Sequence, residues 1–325
     1  MIEINNNAIR QSYVNEYKGN LLEFMLARSI AQSYGLEVNF LKGLDSQLMK
    51  TLSQYEKELR KVSPELLKTL PLIAQQVFET IKKQLPQKVT MVDVIGKKAQ
   101  YAQYKEADIL IGHSEGLIPL SLKLCKDNSY INTKSGGIKS FFTKYFSEFE
   151  GINKLQSDLN FQSSVAFEQM AFDLHEYFGL SYKGFFSDEF IMKAKSELPG
   201  HLSEDLKKIV HHYYYQCIQK FYELFILLSE KDEALFSKSL MPILGLGHAD
   251  MWQVAVLYKK DYLVSKIHLQ KSIKGLSAPF KLIPLKPNKS YFYLQIGADI
   301  LQIRMKPMNK YTVEGLKVNC SVKFG

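Results

Sequence analysis

Asp108 opens the stretch ADILIGHSEGLIPLSLKLCKD (residues 107–127), and Lys123 sits inside its second apolar run. Each is ionisable where a plain core strand takes an apolar residue. A carboxylate and an ammonium at neighbouring sheet positions can do more than pair. The carboxylate binds Mg²⁺ through hard oxygen, and the lysine orients, or helps to deprotonate, a water beside a phosphate. Phosphodiester hydrolysis needs both, because the attacking water must be activated while charge builds on the phosphoryl oxygens. Side chains alternate along a strand. In LIPLSLKLCK, therefore, Ile118, Leu120, Leu122 and Leu124 share one face, and Ser121 and Lys123 share the other. The turn GHSEG can fold ADILI back against this strand, or a longer twisted connection can join the two; either arrangement can bring Asp108 close to Lys123.

The elements that carry these residues follow from patterning. Residues 7–34 read as a helix with Leu22, Met25, Leu26, Ser29 and Ile30 on one stripe and Gly35 as its stop. A second helical pattern runs through LDSQLMKTLSQYEKELRKV, and SPELLKTLPLIAQQVFETIKKQL restarts a third. There Ser63 is the expected N-cap, Pro64 the first helical residue and Glu65 an early acid. From Lys88 the texture becomes strand-like in KVTMVDVIG, ADILI and LIPLSLKLCK. TKSGGIKSFFTKYFSEF then reads as a Gly-rich turn leading into a helix. Residues 158–240 are helical again with a Pro199-Gly200 break, and VAVLYKK, YFYLQIGADILQIRMKP and LKVNCSVKF form a β-meander.

With 325 residues, 46% of them hydrophobic, the chain can bury one large core or two modest ones. Cys125, Cys217 and Cys320 have no paired spacing, which argues against a disulfide framework or zinc knuckle and fits a reducing cytosol. MIEINNNAIRQSY lacks a basic head followed by an apolar core, and no apolar run approaches the roughly 18 residues that span a bilayer. A soluble, cytoplasmic protein is expected. The formal net charge of +9 favours polyanionic partners. No G-x-G-x-x-G and no paired C-x-x-C occurs, which removes dinucleotide-binding and zinc-ribbon readings.

Ala107-Asp108 followed by Ser121-Leu122-Lys123 resembles the PD-(D/E)XK nuclease superfamily, the fold of most type II restriction endonucleases. Its pattern is an Asp at the end or start of one strand, then an acidic residue, any residue and Lys on the next. The helix before such a sheet often carries a Gly followed four residues later by a Glu that reaches the metal. KGNLLEFMLARSIA supplies Gly19 and Glu23 at that spacing, with small Ala27 and Ala31 on the same stripe. The order helix, strand, strand, helix from Gly19 to about Tyr145 also matches. Ser121 departs from the pattern, standing where an acidic residue is usual. Glu23 is the candidate to supply the missing carboxylate, with Glu106 and Glu115 as weaker ones. The resemblance implies that Asp108 and Glu23 hold Mg²⁺, that Lys123 positions the attacking water, and that Ser121 orients a water-bound ligand or leaves its role to Glu23.

Other segments suggest contacts to nucleic acid. In NTKSGGIKSFFTKYF, Thr133, Lys134 and Ser135 donate hydrogen bonds, Gly136 and Gly137 allow close backbone approach, and Lys139 and Lys144 add charge. The glycines are not followed by Gly-Lys-Ser/Thr, so this is no Walker A loop; an ordinary strand-to-helix connection is the other reading. LQIRMKPMNKYT puts Gln302, Arg304 and Lys306 on one strand face against Leu301, Ile303 and Met305. Such a stripe tracks a phosphate backbone or reads base edges, or is simply a solvated sheet face. His211 and His212 are adjacent on a helix, about 100° apart, and make a poor metal pair. His248 and Asp250 in GLGHADMW read as a turn, with a functional pair as the other reading.

The expected fold class is α/β: a restriction-endonuclease-like core of helix, mixed central sheet and helix, with a large helical insertion and C-terminal strands. The expected divisions are a nuclease core over 1–157, a helical subdomain over 158–240, and strands over 241–325 that complete the sheet or contact DNA. The function implied by the resemblance is a Mg²⁺-dependent type II endonuclease acting on double-stranded DNA. A homodimer would cut both strands of a palindrome, and a cognate DNA methyltransferase would be encoded nearby. The alternative is a nucleic-acid-binding protein with a degenerate, non-cleaving nuclease fold.

Overall fold

Leu22, Leu26 and Ile30 recur at helical spacing and are fully buried beside Ala27 and Ala31. This stripe makes α1 (Asn6–Ser33), and it packs on the three helices that follow. The computed structural model describes residues 6–95, 103–104, 107–194, 202–246, 251–271, 279–308 and 311–325. After α1 come α2 (Glu37–Gly43), α3 (Ser46–Val62) and α4 (Pro64–Lys82). Next are β1 (Val89–Val94), β2 (Ile109–His113), β3 (Gly116–Lys126) and β4 (Ile131–Gly137). A helical stretch follows: α5 (Phe141–Tyr145), α6 (Ile152–Tyr177), α7 (Asp188–Lys193), α8 (Glu204–Lys231) and α9 (Glu233–Ile243). The chain ends in β5 (Trp252–Tyr258), β6 (Val264–Lys271), β7 (Phe280–Ile283), β8 (Tyr291–Ile296), β9 (Asp299–Pro307) and β10 (Leu316–Lys323).

The chain divides into two compact units, residues 1–129 with 246–273, and residues 130–245 with 274–325. Their bounds differ from the division at 157/158 and 240/241 expected from texture. Helices α8 and α9 share a core with strands of the second unit, since Phe225 meets Phe292 of β8 and Phe236 meets Phe280 of β7.

The first unit is a mixed five-stranded sheet in the order β1-β2-β3-β5-β6. All pairs are antiparallel except β3 with β5. Ile118, Leu120 and Leu122 of β3 and Trp252, Val254 and Val256 of β5 join the core formed with α1, α3 and α4. Burying each of these side chains contributes about 1.5–3 kcal/mol. β5 is buried along nearly its whole length, as a central strand flanked on both sides is. Gly112 of β2 lies where β1 comes closest: a methyl there would stand 3.1 Å from Met91 Cβ. Ser63 does precede α4, but its hydroxyl makes no cap and instead donates to the Glu65 carboxylate.

The second unit is an antiparallel sheet in the order β4-β10-β9-β8-β7. INTKSGG is thus strand β4, paired along β10, and not the Gly-rich turn expected from its composition. The alternation in β9 is as read: Leu301, Ile303 and Met305 are buried while Arg304 and Lys306 are exposed. An aromatic core fills the covered side, with ring centroids 4.7 Å apart for Phe142 and Phe221 and 5.3 Å for Phe225 and Phe292. Buried Gln156 ties the start of α5 down, accepting from Phe142 N–H at 2.8 Å and donating to Ile138 O at 3.0 Å. No described helix is long and apolar enough to cross a membrane.

Phe225 is fully buried and touches Phe142, Phe146, Phe221, Phe236 and Phe292. Phe225→Ala should destabilise the second unit by about 3–5 kcal/mol. Urea denaturation followed by circular dichroism reads this as a lowered midpoint. An unchanged midpoint would mean that the aromatic cluster does not hold this unit.

Candidate active site

The β2–β3 hairpin closes through a two-residue turn, with His113 opposite Gly116 and Ile109 opposite Leu120. Asp108 stands at the open end, just before β2. Its N–H donates to Leu120 O at 2.8 Å, so its backbone is an extension of the ladder. Its carboxylate is held by three groups of β3. Oδ2 accepts from Leu122 N–H at 2.6 Å, from the Ser121 hydroxyl at 3.2 Å and from the Lys123 ammonium at 3.2 Å. Hydrogen bonds to an ionised acceptor are the strong class, and these three fix the side-chain rotamer. All of them end on Oδ2; among the described residues none ends on Oδ1. The ion pair is partly buried, with 20% of the Asp108 side chain and 32% of the Lys123 side chain exposed.

Glu23 comes to the same place from α1. Burial first, and then the Asp108 carboxylate, push its carboxyl from the ordinary value of 4.5 up to about 8, against a smaller lowering by Lys123. The Glu23 carboxyl therefore feels the charges of both Asp108 and Lys123. Gly19 is not forced by crowding, since a methyl there would meet Glu23 Oε1 at 4.0 Å, an ordinary contact. Ser121 is 2% exposed and lies in register with Gln253 of β5 across the parallel pair.

Gln253 is a site neighbour that sequence reasoning missed. It is 3% exposed, and the signal was there: it is the one amide inside the apolar run WQVAVLY. Lys18 was missed as well. It is buried, its ammonium donates to the Tyr258 hydroxyl at 2.9 Å, and it lies over the Tyr258 ring at 5.0 Å. Burial lowers its pKa.

The weaker candidates fare differently. Glu115 is exposed at the hairpin tip, where its N–H donates to His113 Nδ1. At about 3.4 Å per residue, it is too far along the strands to share a cation with Asp108. Glu106, His248 and Asp250 lie outside the described residues. GHSEG also spells G-x-S-x-G, the nucleophile-elbow string. Here Ser114 is exposed in a turn between antiparallel strands and not between a strand and a helix, so no elbow forms.

The residues of the expected phosphate loop make contacts within the protein. Thr133 donates to Ile243 O at 2.7 Å, Ser135 to Asn319 Oδ1 at 2.6 Å, and Lys139 pairs with Glu314 at 2.9 Å. Lys134 and Lys144 lie over the Tyr145 ring at 6.0 and 5.1 Å. Gly136 and Gly137 pair with Val318 and Lys317 in the strand ladder. Gln302, Arg304 and Lys306 lie on β9 of the second unit. Among the described residues no cluster of three or more His, Cys, Asp and Glu forms; the site's own oxygen donors are two carboxylates. Set against family models, curated proteins and solved structures, the chain matches none.

A carboxyl raised in the folded state favours its neutral form there, so stability declines as pH climbs from about 4.5 to about 8. In metal-free buffer Glu23→Gln should melt a few degrees above the parent at pH 9 and coincide with it near pH 4. Melting curves at the two pH values check this. Identical curves at pH 9 would show that burial and Asp108 do not oppose ionisation of Glu23.

Proposed function

We propose that this chain is a Mg²⁺-dependent endodeoxyribonuclease of PD-(D/E)XK type, hydrolysing double-stranded DNA in the manner of a sequence-specific type II restriction enzyme. The observation that carries the reading is that Lys123 of β3 pairs with Asp108, which stands just before β2, and that Glu23 of α1 feels the charge of both. The helix bearing Glu23 and the single parallel pair beside β3 support it, as does the excess of basic residues.

The donor set fits a hard divalent cation. Asp108 keeps Oδ1 outside its hydrogen bonds to β3, and Glu23 is a second carboxyl whose ionisation is opposed by burial and by a neighbouring negative charge. Asp108 and Glu23 would hold the ion; when bound, it lowers the pKa of a water and offsets charge on phosphoryl oxygens. Lys123 does the rest of the electrostatic work. Its ammonium, anchored on Asp108, orients the attacking water and faces the charge that develops on the phosphate. Ser121 fixes the Asp108 rotamer through its hydroxyl and adds no charge of its own. A second copy of the chain would supply the cut on the opposite strand.

Ser121 favours a second reading: a nucleic-acid-binding protein that keeps this arrangement without cleaving, because serine is a poor ligand where a carboxylate is usual. Nicking of supercoiled plasmid in Mg²⁺ or Mn²⁺ separates the two. On the first reading, Asp108→Ala and Lys123→Ala each lower the nicking rate about 10²-fold or more, and chelation abolishes it. DNA binding by the parent with no metal-dependent nicking selects the second reading. Neither binding nor nicking removes both.

A further inference from the structure

We propose that the open face of the β4-β10-β9-β8-β7 sheet is a binding platform for single-stranded nucleic acid, independent of the nuclease reading and different in its residues from the Asp108 site. The strand register defines this face. Arg304 stands opposite Tyr291 and Asn319, and Gln302 opposite Tyr293 and Ser321. Lys306 stands opposite Lys317. At the other end, Lys281 lies opposite Gln295, and Lys323 opposite Ile300. No strand position on this face carries Asp or Glu.

The charge arrangement points to a polyanion. Lys306 and Lys317 are direct cross-strand neighbours, and like charges so placed destabilise a sheet. Burial, followed by Arg304 and Lys317, lowers the Lys306 pKa. A row of cations set against one another and lacking a strand-borne carboxylate is relieved by phosphates. Aromatic rings stand among them. Tyr130 and Tyr293 are nearly parallel, 23° apart with centroids at 6.2 Å, and Tyr291 meets Tyr293 edge-on at 5.3 Å. Gln302 Nε2 donates to the Tyr293 hydroxyl at 3.3 Å. Tyrosines interleaved with cations offer bases a stacking surface and the backbone a charged track.

The shape selects the single strand. Five strands at about 4.8 Å make a face about 19 Å wide, too broad for a major groove of about 12 Å. A duplex meets such a surface only with its phosphates and leaves the rings unused. An unpaired strand lays its bases on them.

Fluorescence anisotropy of the whole protein in EDTA tests this, using labelled oligothymidylate of about 12 nucleotides and a duplex of equal length. Oligothymidylate should bind more tightly than the duplex. Tyr291→Ala and Tyr293→Ala should each weaken it about tenfold, while Tyr293→Phe binds as the parent does. Lys306→Ala and Lys317→Ala should each reduce the slope of log K against log salt by about 0.7. Equal or tighter duplex binding, no binding of oligothymidylate, or Tyr→Ala variants that fold and bind like the parent would each overturn the proposal. Plasmid nicking in Mg²⁺ is read separately on the same variants, so failure of the platform and failure of the nuclease reading give different results.

Discussion

The Asp108 carboxylate is the fixed point of the first unit. Its Oδ2 accepts from the main chain of Leu122 and the side chains of Ser121 and Lys123, so three residues in succession on one strand determine where one acid lies. That works only because the β2–β3 register is set by a two-residue turn and by Ile118, Leu120 and Leu122 entering the core. A slip of one residue would carry Lys123 into that core and Leu122 out to the acid. The hydrophobic pattern thus protects the polar one. Ser121 deepens the dependence, since it makes the carboxylate's position a matter of hydrogen bonds without adding a second charge.

Much of this was legible in the sequence. The alternation of Leu120 and Leu122 against Ser121 and Lys123 needs only the period of a strand, and the Gly19–Glu23 spacing needs only the period of a helix. Both are local rules, and α1 ends within a residue of its expected boundary. What escaped is non-local. INTKSGG has the composition of a turn, and it becomes β4 because β10, far along the chain, offers it a ladder. Gln253 was passed over inside an apolar run because its significance lies in being level with Ser121, a fact of register between strands distant in sequence. Ser63 stands where a cap belongs, but Glu65 takes its hydroxyl.

The division into units shows the same limit on a larger scale. Texture separates helices from strands, so it set residues 158–240 apart from the strands that follow. Burial ignores that boundary: Phe221 and Phe225 of α8 and Phe292 of β8 belong to one aromatic cluster. Which helices go with which sheet is decided by the faces that need covering, and those are not contiguous in the chain.

The interleaving of the two units has a kinetic corollary. β1, β2 and β3 pair with sequence neighbours, whereas the parallel partner of β3 arrives only with Trp252, after residues 130–245 have been made. Contacts of such long range form late, because loop closure must precede them. The acid, the lysine and the helical glutamate all precede that gap, so their hairpin is expected to form while one long edge of β3 still lacks its neighbour. Pulsed hydrogen exchange during refolding would show β2 amides protected before those of β5; the reverse order would mean that the central strand nucleates the sheet.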